Sequence, residues 1–479
     1  MYFLEIVFLL ATLGLLVSQV MRGASRRVRL SLLVVGLIGV ALAFPLGQAR
    51  IHMAPAALVF LIASLLLLRH GYSHIAVRAL GIFLGLTFVA VSAVVALALP
   101  VVTLPAPDGP YTVGVTSFTL TDESRTDAVF GAPESLREIY VQVWYPGRIP
   151  DEGPTPEVRT LWQELYRSAV GKVVFGYLGG MDTHSFDGIP VASAAARYPA
   201  VVFSPALTGI AEQNTLLMEH LASHGYIAFA VTHPHFGLIT AYPDGSGVPA
   251  SPSVMEGMRQ QAAVDLDKIA ARAEQGANPI EQAAVWLDYF DQGETLKDLT
   301  DILVRDLVLL LDAITNPVAG LRAPLADYVD TRRIGMLAMS FGSGPVTEIC
   351  KTDERCRTAV NLDGGLWGDS MREPLAVPYL VLASAGNRPF FEHDRLTSRA
   401  PYFVLTVADA THANFTDVSA FVPLFDWLGW TGPVEGERVI EIMNTVTRRF
   451  FDAYLRSGGG GAPDFRDLAG VSTDSDRAL

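Results

Sequence analysis

The sequence has only two cysteines, Cys350 and Cys356, in 479 residues. Two interpretations of the pair stay open: a disulfide that closes a short loop in an oxidising compartment, or two isolated thiols. A zinc site at these cysteines is disfavoured because no further Cys or His pair stands near them at ligand spacing. We therefore expect no metal and no cofactor.

Charged residues are scarce in the first 104 residues. Glu5 is the only acidic residue there, against seven arginines, so this segment carries +6 of the net charge of −14 and the rest carries −20. The negative charge of the second part argues against nucleic acid as a partner and against electrostatic capture by anionic lipid. The chain therefore has two parts of different composition, which meet near "LPAPDGP".

Four long apolar runs fill the first part, at about residues 2–21, 30–47, 53–68 and 79–103. Each is close to the roughly 20 residues that a helix needs to cross a bilayer, and four in succession are not a cleaved signal peptide. We therefore expect residues 1–104 to form four transmembrane helices of an integral membrane protein. The lack of ionisable groups deep in the runs favours an anchor over a transporter.

Arginines are distributed unevenly between these runs. The first and third connections contain Arg22, Arg26, Arg27, Arg29, Arg69 and Arg78, whereas the second contains only Arg50. The positive-inside rule then places the first and third connections in the cytoplasm. The N-terminus and everything after residue 104 are expected on the extracytoplasmic side.

Short apolar segments alternate with helical patterns from about residue 111. The segments are "YPAVVFSPAL", "YIAFAVTHP", "RIGMLAMS", "TAVNLDGG", "VPYLVLASAG" and "PYFVLTVADA". Strands buried on both faces and separated by helices predict an α/β fold with a mostly parallel, doubly wound sheet. We expect residues 105–456 to form this domain, with 251–294 as an insertion that could cap the site, and the Gly-rich residues 457–479 as a flexible tail.

The stretch "RRIGMLAMSFGSGP", residues 332–345, indicates a nucleophile. An apolar strand leads to Ser340, and small residues and a helical pattern follow. This order is typical of the nucleophile elbow of α/β-hydrolases, in which small residues flank a serine on a tight turn. Because Ala338 stands where the motif has glycine, a serine that caps the following helix is the alternative.

His412 is the candidate general base because it follows the last apolar strand, where the histidine of this fold stands. His393 lies in a polar loop. His233 and His235 follow an earlier strand, and the pair is a weaker candidate for a metal site because no third ligand stands nearby in sequence.

Three aspartates compete for the acid of the triad. Asp409 is only three residues before His412 and too close along the chain to turn back onto it. Asp363 ends the strand after the Ser340 strand, and Asp394 lies in the loop after the next one. Spacing alone leaves Asp363 and Asp394 open.

The second part resembles the plasma-type platelet-activating-factor acetylhydrolases, serine esterases of the α/β-hydrolase fold. The likeness is carried by "YPAVVFSPALTG", "LMEHLASHGYIAFAVTHPH", "RIGMLAMSFGSG", "AVNLDGGLW" and "HANFTD". In that family the serine lies in G-H-S-F-G-G, the acid in an L-D motif and the histidine in H-x-N-F. The resemblance implies Ser340 as nucleophile, Asp363 as acid and His412 as base, with the backbone N–H groups of Leu207 and Phe341 as the oxyanion hole.

The departures from the family pattern leave the substrate open. Ala338-Met339 replace the family's Gly-His, and Pro205-Ala206 replace the His-Gly of the oxyanion loop. The sequence predicts a membrane-anchored serine carboxylic ester hydrolase that works through a triad and an acyl-enzyme, on phospholipid or short-chain acyl esters. The alternative is a catalytically silent hydrolase-fold sensor or binding module.

Overall fold

The computed structural model describes residues 3–20, 25–43, 53–68, 75–167, 171, 175–193, 197–242, 245–316, 325–456 and 461–473. Its α-helices are α1 (Phe3–Val20), α2 (Arg26–Ala43), α3 (Ala54–Leu68), α4 (Ile75–Ala98), α5 (Thr215–Ser223), α6 (Pro252–Ala262), α7 (Leu266–Ala273), α8 (Pro279–Asp291), α9 (Glu294–Thr315), α10 (Leu325–Tyr328), α11 (Ser343–Thr352), α12 (Glu392–Thr397), α13 (Val418–Phe421), α14 (Pro423–Trp427) and α15 (Gly436–Phe451). Its strands are β1 (Thr112–Asp127), β2 (Ala132–Gly147), β3 (Val158–Thr160), β4 (Asp182–Asp187), β5 (Tyr198–Ser204), β6 (Ile227–Thr232), β7 (Ile239–Ala241), β8 (Gly247–Pro249), β9 (Val329–Met339), β10 (Thr358–Leu362), β11 (Tyr379–Ala383), β12 (Tyr402–Val407) and β13 (Val471–Thr473).

The four N-terminal helices pack around a small apolar cluster that includes Phe8, Leu15, Ala56 and Phe60. Among the described residues, no helix is both long and apolar enough to span a bilayer. The prediction of four transmembrane helices over residues 1–104 is therefore not supported.

A mixed sheet organises the rest of the chain. Within the described residues its order is β13-β12-β11-β10-β9-β5-β6-β2-β1-β4-β3. The six strands from β12 to β6 run parallel, and antiparallel strands extend the sheet at both ends. The predicted mostly parallel α/β sheet is confirmed.

Successive side chains of each central strand point to opposite faces of the sheet, and each face has its own hydrophobic core. In β9, Met336 and Ala338 belong to the cluster that packs against α9 and α11. Leu337 and Met339 belong to the cluster that packs against α5 and α15. Both faces of the strand are thus covered, which explains why these strands read as continuous apolar runs. The arrangement brings the carboxyl ends of the parallel strands to one edge of the sheet.

The predicted insertion, the predicted tail and the two cysteines each have a defined place in the structure. Residues 251–294 contain α6, α7 and α8. The prediction of a flexible tail over residues 457–479 is wrong for residues 471–473. These residues form β13, which pairs antiparallel with β12 because Val471 can pack against the adjoining core. Residues 457–460 and 474–479 lie outside the described residues. Cys350 and Cys356 form a disulfide with a Cα–Cα distance of 5.1 Å, which resolves that open alternative.

Candidate active site

Ser340 lies on a sharp turn between β9 and α11, with φ of 55°. Side-chain-bearing residues rarely adopt this left-handed conformation, and it turns the serine out from the end of the strand. A Cβ at Gly342 would overlap the backbone carbonyl oxygens of Ser204 and Pro205. The glycine is therefore required for the close approach of the turn to the end of β5.

Ser340, His412 and Asp363 form one continuous hydrogen-bonded chain. The Nε2 atom of His412 lies 2.7 Å from the Ser340 Oγ, and its Nδ1 lies 2.8 Å from Oδ2 of Asp363. A carboxylate only accepts hydrogen bonds, so the N–H is assigned to Nδ1 and the Ser340 hydroxyl donates to Nε2. This geometry allows His412 to remove the hydroxyl proton as Ser340 attacks.

Asp363 is buried and held by four contacts besides the imidazole. Its Oδ1 accepts from the backbone N–H of Ser384 at 2.7 Å and from the Ser384 hydroxyl at 2.9 Å. The hydroxyl also lies 3.1 Å from Oδ2, which accepts from Nδ2 of Asn387 at 2.8 Å. These donors offset the desolvation of a buried carboxylate and fix the oxygen that faces His412.

The other sequence candidates lie in different environments. Asp394 is buried and pairs with Lys351. His393 lies beside Asp394, with its Nδ1 3.6 Å from Oδ1. Asp409 occupies a turn at φ of 59° and is exposed. None of these three replaces a member of the hydrogen-bonded chain.

The histidine pair after β6 does not converge on one point. His233 is buried, with Nδ1 2.9 Å from Oδ2 of Asp306, and burial lowers the pKa of its imidazole. His235 instead lies 3.3 Å from Oδ2 of Asp127. Because each ring faces a different carboxylate, the structure does not bring the two histidines together as ligands of one ion.

The loop after β5 places Leu207 beside the nucleophile. The N–H of Ala206 donates to the Gln213 side chain at 3.1 Å, and the N–H of Gly209 donates to the Ala206 carbonyl at 2.8 Å. These bonds hold the loop in a tight turn. Leu207, Phe341, Ser340 and His412 line the same cavity, which is where donors to a reacting carbonyl oxygen are needed.

The cavity has a volume of about 600 Å³ and mostly apolar walls, within the range of small-molecule sites. Its large apolar side chains include Trp162, Leu165, Phe175, Leu238, Trp367 and Phe425. Among the described residues that line it, His412 is the only ionisable one. The site is therefore suited to an apolar group next to the bond that is cleaved.

Part of this wall was not predicted from the sequence. Trp162, Leu165 and Phe175 come from the segment between β3 and β4, which contains two short 3-10 helices, Gln163–Tyr166 and Gly176–Gly180. Their only signal is the density of aromatic residues in "TLWQELY" and "VVFGYL". Met258 of α6 also lines the cavity, so the 251–294 insertion contributes to it.

Comparisons with known proteins give a consistent picture. A family profile described as "Platelet-activating factor acetylhydrolase, isoform II" matches residues 97–458. The platelet-activating factor acetylhydrolase of Cavia porcellus is 21% identical over 372 residues, which cover 74% of this chain and 78% of that protein. A probable 1-alkyl-2-acetylglycerophosphocholine esterase of Arthroderma benhamiae is 25% identical over 296 residues, 57% of this chain and 61% of that protein.

A solved structure supports the same fold. The ferulic acid esterase from Streptomyces cinnamoneus aligns with a TM-score of 0.59 and 24% identity, covering 78% of this chain and 99% of that one. At this identity the likeness establishes the fold of the part of the chain that aligns and carries no information on the substrate.

Proposed function

The chain belongs to the platelet-activating factor acetylhydrolase isoform II family and is a carboxylic ester hydrolase, and from this premise we propose that Ser340, His412 and Asp363 are its catalytic triad. The observation that carries the proposal is the unbroken chain of hydrogen bonds, 2.7 Å from His412 to Ser340 and 2.8 Å from His412 to Asp363. The left-handed turn at Ser340 supports the same assignment.

The mechanism follows from the order of the groups. His412 takes the proton of Ser340 through Nε2 as the oxygen attacks the ester carbonyl, and Asp363 stabilises the imidazolium that forms. His412 then gives that proton to the leaving alcohol, and an acyl-enzyme remains on Ser340. Water, deprotonated by His412, releases the acid and regenerates the serine.

The backbone N–H groups of Leu207 and Phe341 form the oxyanion hole in this proposal. Both residues line the cavity around Ser340, and Phe341 directly follows the nucleophile, as one donor does in this fold. A donor aimed at the developing oxyanion is typically worth about 3 kcal/mol of transition-state stabilisation.

The substrate class is a phospholipid or acyl ester with an apolar portion beside the scissile bond. The apolar cavity supports this proposal, because only His412 is ionisable among its described lining residues. A charged headgroup would lose its hydration there without gaining a partner. We expect such a headgroup to remain at the mouth of the cavity, in water.

The cellular location is also part of the proposal. We place the catalytic domain on the extracytoplasmic side, and the Cys350–Cys356 disulfide supports an oxidising compartment. A Ser457→Cys variant should react with a membrane-impermeant maleimide on intact cells. The control is the wild-type protein, which has Ser457 and whose two cysteines are joined in the disulfide. Labelling only after permeabilisation would place the domain in the cytoplasm.

Fluorophosphonate labelling separates the enzyme from a silent hydrolase-fold module. The probe reacts with an activated serine, so the wild-type protein should be labelled on the peptide that contains Ser340. Ser253→Ala, which changes an exposed serine on α6, should label like the wild type, and Ser340→Ala should not label. An unlabelled wild-type protein would favour the silent module.

A further inference from the structure

A second cluster of metal-binding side chains lies away from the triad and consists of Asp108, His220 and His224. Asp108 is in the connector, residues 99–111, that leads from α4 to β1. His220 and His224 stand four residues apart at the C-terminal end of α5. That spacing puts both imidazoles on one face of the helix.

The distances between the three side chains suit a single small cation. The Asp108 Oδ1 atom lies 3.0 Å from the His220 Nδ1 and 3.7 Å from the His224 Nε2. All three potential ligand atoms lie within 4.8 Å of one another. Ligand atoms about 2.0–2.2 Å from a tetrahedral ion are separated by about 3.3–3.6 Å, and the two distances from Asp108 lie close to this range.

The hydrogen bonding of the histidines also suits an ion. The His224 Nδ1 lies 2.9 Å from the backbone carbonyl oxygen of His220 and donates to it. In the neutral ring this leaves a lone pair on Nε2 that faces the Asp108 carboxylate, and two acceptors that face each other need either a proton or a metal ion between them. A carbonyl that fixes the tautomer in this way is the usual outer partner of a metal-bound histidine. His220 is 5% exposed, and the ring atom that faces Asp108 is its Nδ1.

The backbone holds Asp108 over the helix. The N–H of Tyr111 donates to the Ser223 carbonyl at 3.0 Å, and the N–H of Gly109 donates to the Ser223 hydroxyl at 3.2 Å. A Cβ at Gly109 would overlap the Ser223 backbone, so this approach requires glycine. The residue that supplies the carboxylate is thus positioned by contacts that do not involve the ion.

The electrostatic setting contains groups of both signs. The carbonyl groups at the C-terminal end of α5 carry partial negative charge, which attracts positive ions. Arg456 already donates to the carbonyl oxygens of His224 and Gly225. Arg448 acts on His220, and its guanidinium is paired with Asp452 at 3.2 Å. Asp108 is 76% exposed at its side chain, so water can reach a fourth coordination position.

We propose that Asp108, His220 and His224 bind a divalent transition-metal ion, with Zn²⁺ as the best match to two imidazoles and one carboxylate. The bound ion fastens the connector, and with it the start of β1, to α5. The sequence-based expectation of no metal rested on the surroundings of the cysteines and of His233 and His235. The sequence feature that points to this proposal is the His-x₃-His spacing in "EHLASHG".

The test uses the full-length protein, prepared without a polyhistidine tag and treated with a chelator. Titration with Zn²⁺ alone, followed by calorimetry, should show one ion per chain and a rise in melting temperature. Co²⁺ should give the visible absorption of a tetrahedral site. His224→Ala and Asp108→Asn, the latter at an exposed position, should each weaken Zn²⁺ binding by at least about tenfold.

Asp151→Asn is the matched control, because it removes a carboxylate that is 92% exposed and distant in sequence from the cluster. It should bind Zn²⁺ like the wild type. A wild-type protein that binds no stoichiometric Zn²⁺ would overturn the proposal and leave an ordinary His–Asp ion pair. Binding that survives unchanged in both Asp108→Asn and His224→Ala would overturn it as well.

Discussion

The Nζ atom of Lys351 lies 3.2 Å from Oδ1 of Asp394, and both side chains are almost completely buried. Lys351 also donates to the backbone carbonyl of Met371 at 2.9 Å. This pair links α11, which follows the nucleophile, to α12. Asp394 therefore serves the packing of the domain, although its position after a strand made it a candidate for the triad.

Asp394→Asn should lower stability and leave the chemistry intact. The change leaves the buried Lys351 ammonium without its counter-charge, and breaking such a pair costs about 3 kcal/mol. Urea unfolding should show this loss, while kcat/KM of the folded fraction stays near the wild-type value. A stable Asp394→Asn protein with greatly reduced kcat/KM would instead point to Asp394 as the acid.

Asp363→Asn should show the opposite pattern. The amide preserves the shape of the side chain but can donate to Nδ1 of His412, which favours the wrong tautomer for accepting the Ser340 proton. The same substitution in a serine protease lowers kcat by about 10⁴. We expect a fall of similar size in hydrolysis of p-nitrophenyl acetate, with a smaller change in melting temperature than for Asp394→Asn. Near-normal turnover would remove Asp363 from the triad.

Gly342→Ala should disrupt the turn that presents the nucleophile. The added methyl group would overlap the carbonyl oxygens of Ser204 and Pro205, and overpacking of this kind costs about 1–3 kcal/mol. Because backbone cannot yield like a flexible side chain, Ser340 should shift and kcat should fall. Gly386→Ala is the control, since a Cβ there meets no atom within 4 Å. Equal activity and stability of the two variants would contradict the packing argument.

Glu164 should make the folded state less stable at higher pH. It is completely buried, and burial, followed by the neighbouring Glu212, raises the pKa of its carboxyl well above the ordinary 4.5. Between 4.5 and the raised value the folded protein holds a proton that the unfolded chain has released. The free energy of unfolding therefore decreases as pH rises through this window.

Replacing Glu164 with Gln tests this linkage. The amide oxygen can still accept from the Thr232 hydroxyl, which now donates to Glu164 at 2.7 Å. Denaturant unfolding at several pH values should show a weaker decline above about pH 5 than in the wild type. Glu152→Gln, at an exposed position, should keep the wild-type slope. Identical slopes in Glu164→Gln and the wild type would show that Glu164 does not titrate as described.

The sequence predicted the central sheet because β5, β6 and β9 to β12 are buried on both faces and read as unbroken apolar runs. The structure brings Ser340 and His412 together because both stand at carboxyl ends of parallel strands. Spacing did not separate Asp363 from Asp394 as the acid, and only the family resemblance favoured Asp363. In the structure Asp363 contacts His412, whereas Asp394 pairs with Lys351, 43 residues away, and no local pattern reveals this pairing.

Other features depended on contacts between distant segments. The cavity wall includes Trp162 and Phe175 from irregular segments, whose place is set by packing rather than by periodicity. Asp108 meets His220 only because the connector folds back onto α5. The apolar runs of residues 1–104 matched the composition of membrane spans, but no helix among the described residues is both long and apolar enough to be one.

Hydrolysis of p-nitrophenyl acetate by Ser340→Ala tests the central claim most directly. The structure places the Ser340 hydroxyl 2.7 Å from His412, and loss of the nucleophile in a serine hydrolase with such a triad lowers kcat by about 10⁶. We predict turnover near the uncatalysed rate, with a melting temperature close to that of the wild type. Turnover within about tenfold of the wild type, in a protein that remains folded, would contradict the assignment of this site.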